Sequence, residues 1–85
     1  MLEGIIKITL KFERLEDLIA IYKALVPETK NPPTHRSEAK VWIEDRSLKI
    51  EISSKDLISL RAALNSYLRW IYILTMGLKV MKNVN

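Results

Sequence analysis

Residues 38–53, EAKVWIEDRSLKIEIS, alternate in character from end to end. In the first half Ala39, Val41 and Ile43 share one face, and in the second half Leu48, Ile50 and Ile52 do the same. That period of two marks a pair of half-buried strands. A two-residue turn at Asp45-Arg46 pairs Ile43 with Leu48, Val41 with Ile50 and Ala39 with Ile52, so all six share a face. The same register sets Lys40 opposite Glu51 and Trp42 opposite Lys49 on the other face. Opposite charges and a cation beside an aromatic ring each add ~0.2–1 kcal/mol there. The register is therefore favoured from both faces. Its weak point is the turn, which lacks the glycine that tight hairpins prefer.

The flanking segments complete the fold. Residues 4–12 alternate as well, with Ile6, Ile8, Leu10 and Phe12 on one face and Ile5, Lys7, Thr9 and Lys11 on the other. Residues 14–26 change period. Leu15, Leu18, Ile19, Tyr22, Leu25 and Val26 follow helical spacing, and Pro27 is expected to limit the helix. Residues 27–37, PETKNPPTHRS, read as the one real loop. After the hairpin, Ser53 or Ser54 can cap a helix whose first turn holds Asp56, and no proline interrupts residues 55–82. The order β-α-β-β-α predicts an α+β fold: a three-stranded antiparallel sheet with both helices on one face. A right-handed crossover through the first helix lets the third strand fit between the other two. Two sheet edges are then open.

Composition removes most chemistry. The chain has 85 residues and weighs 9.9 kDa, so residues 1–85 are read as a single domain. It has no cysteine and one histidine, His35, so disulfides, thiol nucleophiles and conventional zinc sites are excluded. Two glycines, Gly4 and Gly77, cannot build a phosphate cradle. His35 has no evident orienting partner, and the pairs Glu16-Asp17 and Glu44-Asp45 are adjacent in sequence and diverge in a helix or strand. No catalytic residue, metal or cofactor is expected, and the chain is read as having no enzymatic activity. The longest uncharged run of the last third, residues 70–78, is far short of the ~20 residues of a membrane span. The N-terminus has no basic segment of a secretory signal, which suggests a cytoplasmic protein.

Net charge is +4, and all the surplus lies in residues 57–85, which hold Arg61, Arg69, Lys79 and Lys82 and no acid. On a helical wheel Leu57, Leu60, Leu64, Tyr67, Leu68, Ile71 and Leu78 gather on one side, the stripe expected to face the sheet. The opposite side holds Ser59, Ala62, Ala63, Ser66, Trp70, Ile73, Gly77 and Val80, without a charge. A solvated helix of this length carries Lys and Glu on that side. The charge-free back is therefore read as a partner-binding surface made of Ser59, Ala62, Ala63, Ser66, Trp70, Ile73 and Gly77. Ala63 is expected to be its most sensitive small residue. A charged side chain there is expected to abolish docking and leave the fold intact. Arg61, Asn65 and Arg69, spaced i, i+4, i+8, form a separate polar edge. With Lys30 and Arg36 they are candidates for contacts to RNA phosphates or to a neighbouring subunit, and His35 is a further candidate for a phosphate.

The string LRAALNSYLRW at residues 60–70, within residues 57–71, resembles the second helix of the smallest core subunit of the KEOPS complex, the polarised-growth chromatin-controller (Pcc-type) family. The likeness also covers the first strand ending in Phe12, the first helix through Tyr22, Leu25, Val26, Pro27 and Glu28, and the hairpin, at the length of an archaeal member. It implies a homodimer that binds the threonylcarbamoyl-transferase subunit of KEOPS through packed helices. That complex makes threonylcarbamoyl-adenosine beside the anticodon of tRNAs reading ANN codons, with a kinase-like ATPase and a fourth subunit. The implied role is dimerisation and scaffolding in tRNA processing, with a share in tRNA binding. The rival reading is a small stand-alone RNA-binding module, because the element order is similar to a reduced KH domain. KH domains clamp the backbone with a GxxG loop. None occurs here, and the outward aromatic set is essentially Trp42.

Overall fold

A computed structural model describes residues 3–31 and 36–83, with side chains to residue 79. The elements are β1 (Gly4–Lys11), α1 (Leu15–Lys30), β2 (Ser37–Glu44), β3 (Ser47–Ser54) and α2 (Leu57–Asn83). The sheet order is β1-β3-β2, with β3 antiparallel to both neighbours. This is the α+β arrangement the alternation predicts.

The register agrees pair by pair. Ile43 faces Leu48, Val41 faces Ile50 and Ala39 faces Ile52, while Ile6, Ile8 and Leu10 align with Ile52, Ile50 and Leu48 from the other side. Hence Leu48, Ile50 and Ile52 of the central strand are wholly buried. Asp45 and Arg46 both adopt positive φ, 53° and 60°, as a two-residue type I′ turn requires. The strands' need for matching twist overrides the residues' dislike of that region. On the outer face Glu51 pairs with Lys7 of β1 at 3.9 Å, and the Lys49 ammonium donates to Thr9 Oγ1 at 3.1 Å. Both side chains reach toward β1 although Lys40 and Trp42 stand in the expected register on β2.

Pro27 does not end α1, which runs another turn to Lys30. Proline removes one N–H and fixes φ in the helical range, so the residues after it can keep coiling. The Thr29 hydroxyl donates to the Val26 carbonyl at 2.7 Å in that last turn. Leu18, Ile21 and Leu25 are the buried residues of α1, whereas Leu15 and Ile19 stay exposed. Leu18, Ile21 and Leu25 form one core with Leu60, Ala63, Tyr67 and Ile71 of α2 over the inner face of the sheet. Gly4 lies under this contact. A Cβ there would stand 2.5 Å from Leu60 Cδ2, so glycine lets α2 settle on β1.

The N-cap of α2 is Asp56, two residues beyond Ser54 and three beyond Ser53, the serines expected to serve. The Ser59 amide donates to Asp56 Oδ1 at 2.8 Å, and the Ser59 hydroxyl to Oδ2 at 3.2 Å. Arg36 Nε meets the same Oδ2 at 2.8 Å. Ser54 supports the junction instead, accepting from the Asp56 amide at 3.4 Å and donating to the Arg36 carbonyl at 3.1 Å. The hydrogen bond from the Ser59 amide is the main force holding the Asp56 carboxyl below its usual 3.8, against an opposing push from desolvation; Ser59 Oγ and Arg36 assist. Halfway along α2 the Tyr67 hydroxyl donates to the Glu28 carbonyl at 3.2 Å, tying α2 to the end of α1. Burial and the Glu28 charge raise the Tyr67 phenol above its ordinary value, so it stays a donor.

Candidate partner-docking surface on the last helix

α2 has 27 residues and, at 1.5 Å per residue, is about 40 Å long. Eight-residue strands span about 27 Å. The helix therefore outruns its sheet, and the molecule measures 51 × 25 × 17 Å. Leu74 and Leu78 still pack against the core where the helix extends.

The core-facing stripe of α2 is Leu60, Ala63, Tyr67 and Ile71, supported by Leu64, Trp70, Leu74 and Leu78. This stripe is rotated by about 40° from the one expected from the largest side chains, at 100° per residue. The rotation corrects several assignments. Ala63 is 0% exposed and sits in the core, not on the back face. Ser59 is buried and bonded to the Asp56 cap, and Ser66 is half-buried. Trp70 is partly buried and packs its ring edge-on against Tyr67, with centroids 5.1 Å apart. Small residues at 59 and 63 let α2 approach its own chain rather than a partner. Conversely Leu57 and Leu68, expected to face the sheet, are exposed.

Of the proposed docking residues, Ala62, Ile73 and Gly77 do face outward. Nothing lies within 4 Å of where a Gly77 Cβ would be, so no contact within the described chain explains this glycine. Beside Ile73, 57% exposed, the structure adds Ile58 at 84%, Tyr72 at 65% and Met76, which the wheel placed on neither side, and Leu57 and Leu68, which it placed toward the sheet. The signal was present in the sequence. α2 has more large apolar side chains than one stripe can bury, so some had to remain outside whichever way it was phased. The outer face therefore carries large apolar side chains together with Arg61 and Arg69, and the charge-free back expected from the wheel is not what the rotated helix presents. A shallow groove at its start is lined by Leu57, Ile58, Arg61, Ala62 and Asn65. Large contiguous apolar patches on folded proteins commonly belong to interaction surfaces.

The polar candidates do not form one site. Arg61, Asn65 and Arg69 run along the outer face of α2. Arg36 is held at the head of that helix by Asp56. Lys30 ends α1, two residues past the carbonyl that Tyr67 grips. His35 lies outside the described residues. Among the described residues no group of three His, Asp or Glu side chains could hold a metal, and no helix is long and apolar enough to cross a membrane.

Comparison with known proteins places these elements in a family. The family model described as "Transcription factor Pcc1" matches residues 5–76, from β1 through most of α2. The KEOPS complex subunit Pcc1 of Pyrococcus abyssi (strain GE5 / Orsay) is 31% identical over 67 residues, which cover 79% of this chain and 82% of that relative. The matched family span includes every exposed apolar residue of the outer face from Leu57 to Met76.

Proposed function

The chain belongs to the Pcc1 family, and from that premise we propose that it is a non-catalytic dimerisation and scaffold subunit of a KEOPS complex. In this reading it docks the threonylcarbamoyl-transferase subunit through α2 and thereby supports synthesis of threonylcarbamoyl-adenosine in tRNA. The kinase-like ATPase subunit is an indirect partner, and tRNA is the substrate of the assembly.

The observation that carries the proposal is the outer face of α2. Ile58, Tyr72, Ile73 and Met76 are open on a helix that already has a filled core side. Covering such residues with a second apolar surface yields ~25 cal/mol per Å². A scaffold needs this kind of surface, and it needs a frame that holds the helix rigid. The Asp56 cap, the Tyr67–Glu28 bond and the glycine contact beneath Leu60 supply that frame. Self-association is assigned to the sheet. β1 and β2 are eight-residue edge strands, each with one flank unpaired among the described residues, and a second copy can extend such an edge.

The test is the threonylcarbamoyl-adenosine content of ANN-reading tRNAs in cells lacking this chain. The modification should fall sharply and return when the chain is restored from a plasmid. Unchanged modification in the deletion strain would remove this function.

A further inference from the structure

The outer face of α2 is not purely apolar. Arg61 and Arg69 stand on it, two turns apart and about 12 Å along the axis, with Asn65 between them. Neither guanidinium has a hydrogen-bond or ion-pair partner among the described residues. They are flanked by Leu57, Leu68 and Tyr72 on one side and by Ala62 and Ile73 on the other. From Leu57 to Asn83 the helix contains no Asp or Glu.

We propose that this face receives a different protein, through an apolar helix that carries two carboxylates seven or eight residues apart, and that copies of this chain do not meet through it. The inference rests on the reading of α2 as a docking helix and names the chemistry of what docks.

Three considerations favour this occupant. First, covering the apolar flanks desolvates the two arginines, and an uncompensated charge in such a place is strongly unfavourable. The partner must therefore bring acids to them. Carboxylates seven or eight residues apart on a helix lie on one face and match the spacing of Arg61 and Arg69. Second, a two-fold contact of α2 with its own copy sets arginines against a helix that has no acid. Like charges brought together in an interface are repelled. Third, a phosphate strand would satisfy the arginines but leave Leu57, Ile58, Leu68 and Ile73 against a polar surface. Single strands are held by stacking on aromatic rings, and this face offers only Tyr72.

The experiment uses the full chain and the threonylcarbamoyl-transferase subunit from the same cell. Binding is measured for the wild type, R61E/R69E, R61K/R69K and Y72A/I73A. Light scattering follows self-association of each, and thermal melting follows folding. The proposal expects R61E/R69E to bind about 100-fold more weakly while melting and self-associating as wild type does. R61K/R69K should retain most binding, and reversal of a facing pair of acids on the transferase should restore R61E/R69E. Full binding by R61E/R69E, with loss in Y72A/I73A, overturns the charge pairing and leaves the docking helix standing. Full binding by both variants overturns the docking helix itself. Self-association lost in R61E/R69E makes the face a surface for a second copy and overturns the proposal. So does a loss of tRNA affinity in R61E/R69E with transferase binding intact.

Discussion

A charge placed at Ala63 has nowhere to go. The residue is fully buried between α2 and the rest of the core. Ala63→Glu should therefore lower stability by roughly 3–5 kcal/mol, through an unpaired charge and overpacking together. Thermal melting reads this directly, and an unchanged melting temperature would return Ala63 to the surface. The turn gives the opposite sign. Arg46 holds a φ of 60°, a region costly for any residue with a Cβ. Arg46→Gly produces the Asp-Gly pair that a type I′ turn favours and should stabilise by about 1 kcal/mol. For a domain of this size that raises the melting temperature by about 4–8 °C. These two residues also show what sequence makes legible. The hairpin register could be read because Ile43, Leu48 and their neighbours repeat with a period of two, and a slip by one residue would expose them all. The phase of α2 could not be read from side-chain size, because Leu57 and Leu68 are as apolar as Leu60 and Leu64. What decides the phase is the close approach allowed by small residues. Ala63 and Gly4 carry that information, and a wheel weighted by bulk discards it.

At the scale of the element, α2 depends on its first turn and its middle. Folding lowers the Asp56 carboxyl below its ordinary 3.8, chiefly through the Ser59 amide. A group depressed in the folded state contributes stability that is present above its unfolded pKa and lost as the pH falls through its folded one. The wild type should therefore melt progressively lower on acidification below about pH 4, and Asp56→Asn should show a shallower decline in that range. Parallel curves would mean that folding does not lower the Asp56 carboxyl. In the middle of the helix, Tyr67→Phe removes the donor to the Glu28 carbonyl and should cost about 1 kcal/mol. The extension of α1 beyond Pro27 was hidden from sequence reading for a plain reason. Proline disfavours helical geometry in the residue before it but restricts the residues after it very little, and the Thr29 hydroxyl bond to Val26 is invisible in a propensity.

On the scale of the whole molecule, the design separates three surfaces. One face of the sheet and one side of each helix make the core. In the proposed function the open strand edges of β1 and β2 serve a second copy, and the outer face of α2 serves another protein. A domain this small buries too little surface to be comfortably stable alone, so light scattering of the free protein at micromolar concentration should report about twice 9.9 kDa. A folded monomer under those conditions would contradict the role of the edges. That α2 leaves apolar side chains in the open was legible, because a seven-turn helix without an acid and with apolar residues all round has more of them than one stripe can bury. Which side chains those are was not, since Ile58, Tyr72 and Met76 take their meaning only from the rotation that Ala63 imposes. The most direct test of the docking face is the double variant Ile58→Asp/Ile73→Asp, assayed by pull-down with the threonylcarbamoyl-transferase subunit and by thermal melting. Both side chains are open to solvent, so the variant should melt within about 1 kcal/mol of the wild type in stability and fail to retain the transferase. A variant that folds normally and retains the transferase as well as the wild type does would contradict the account.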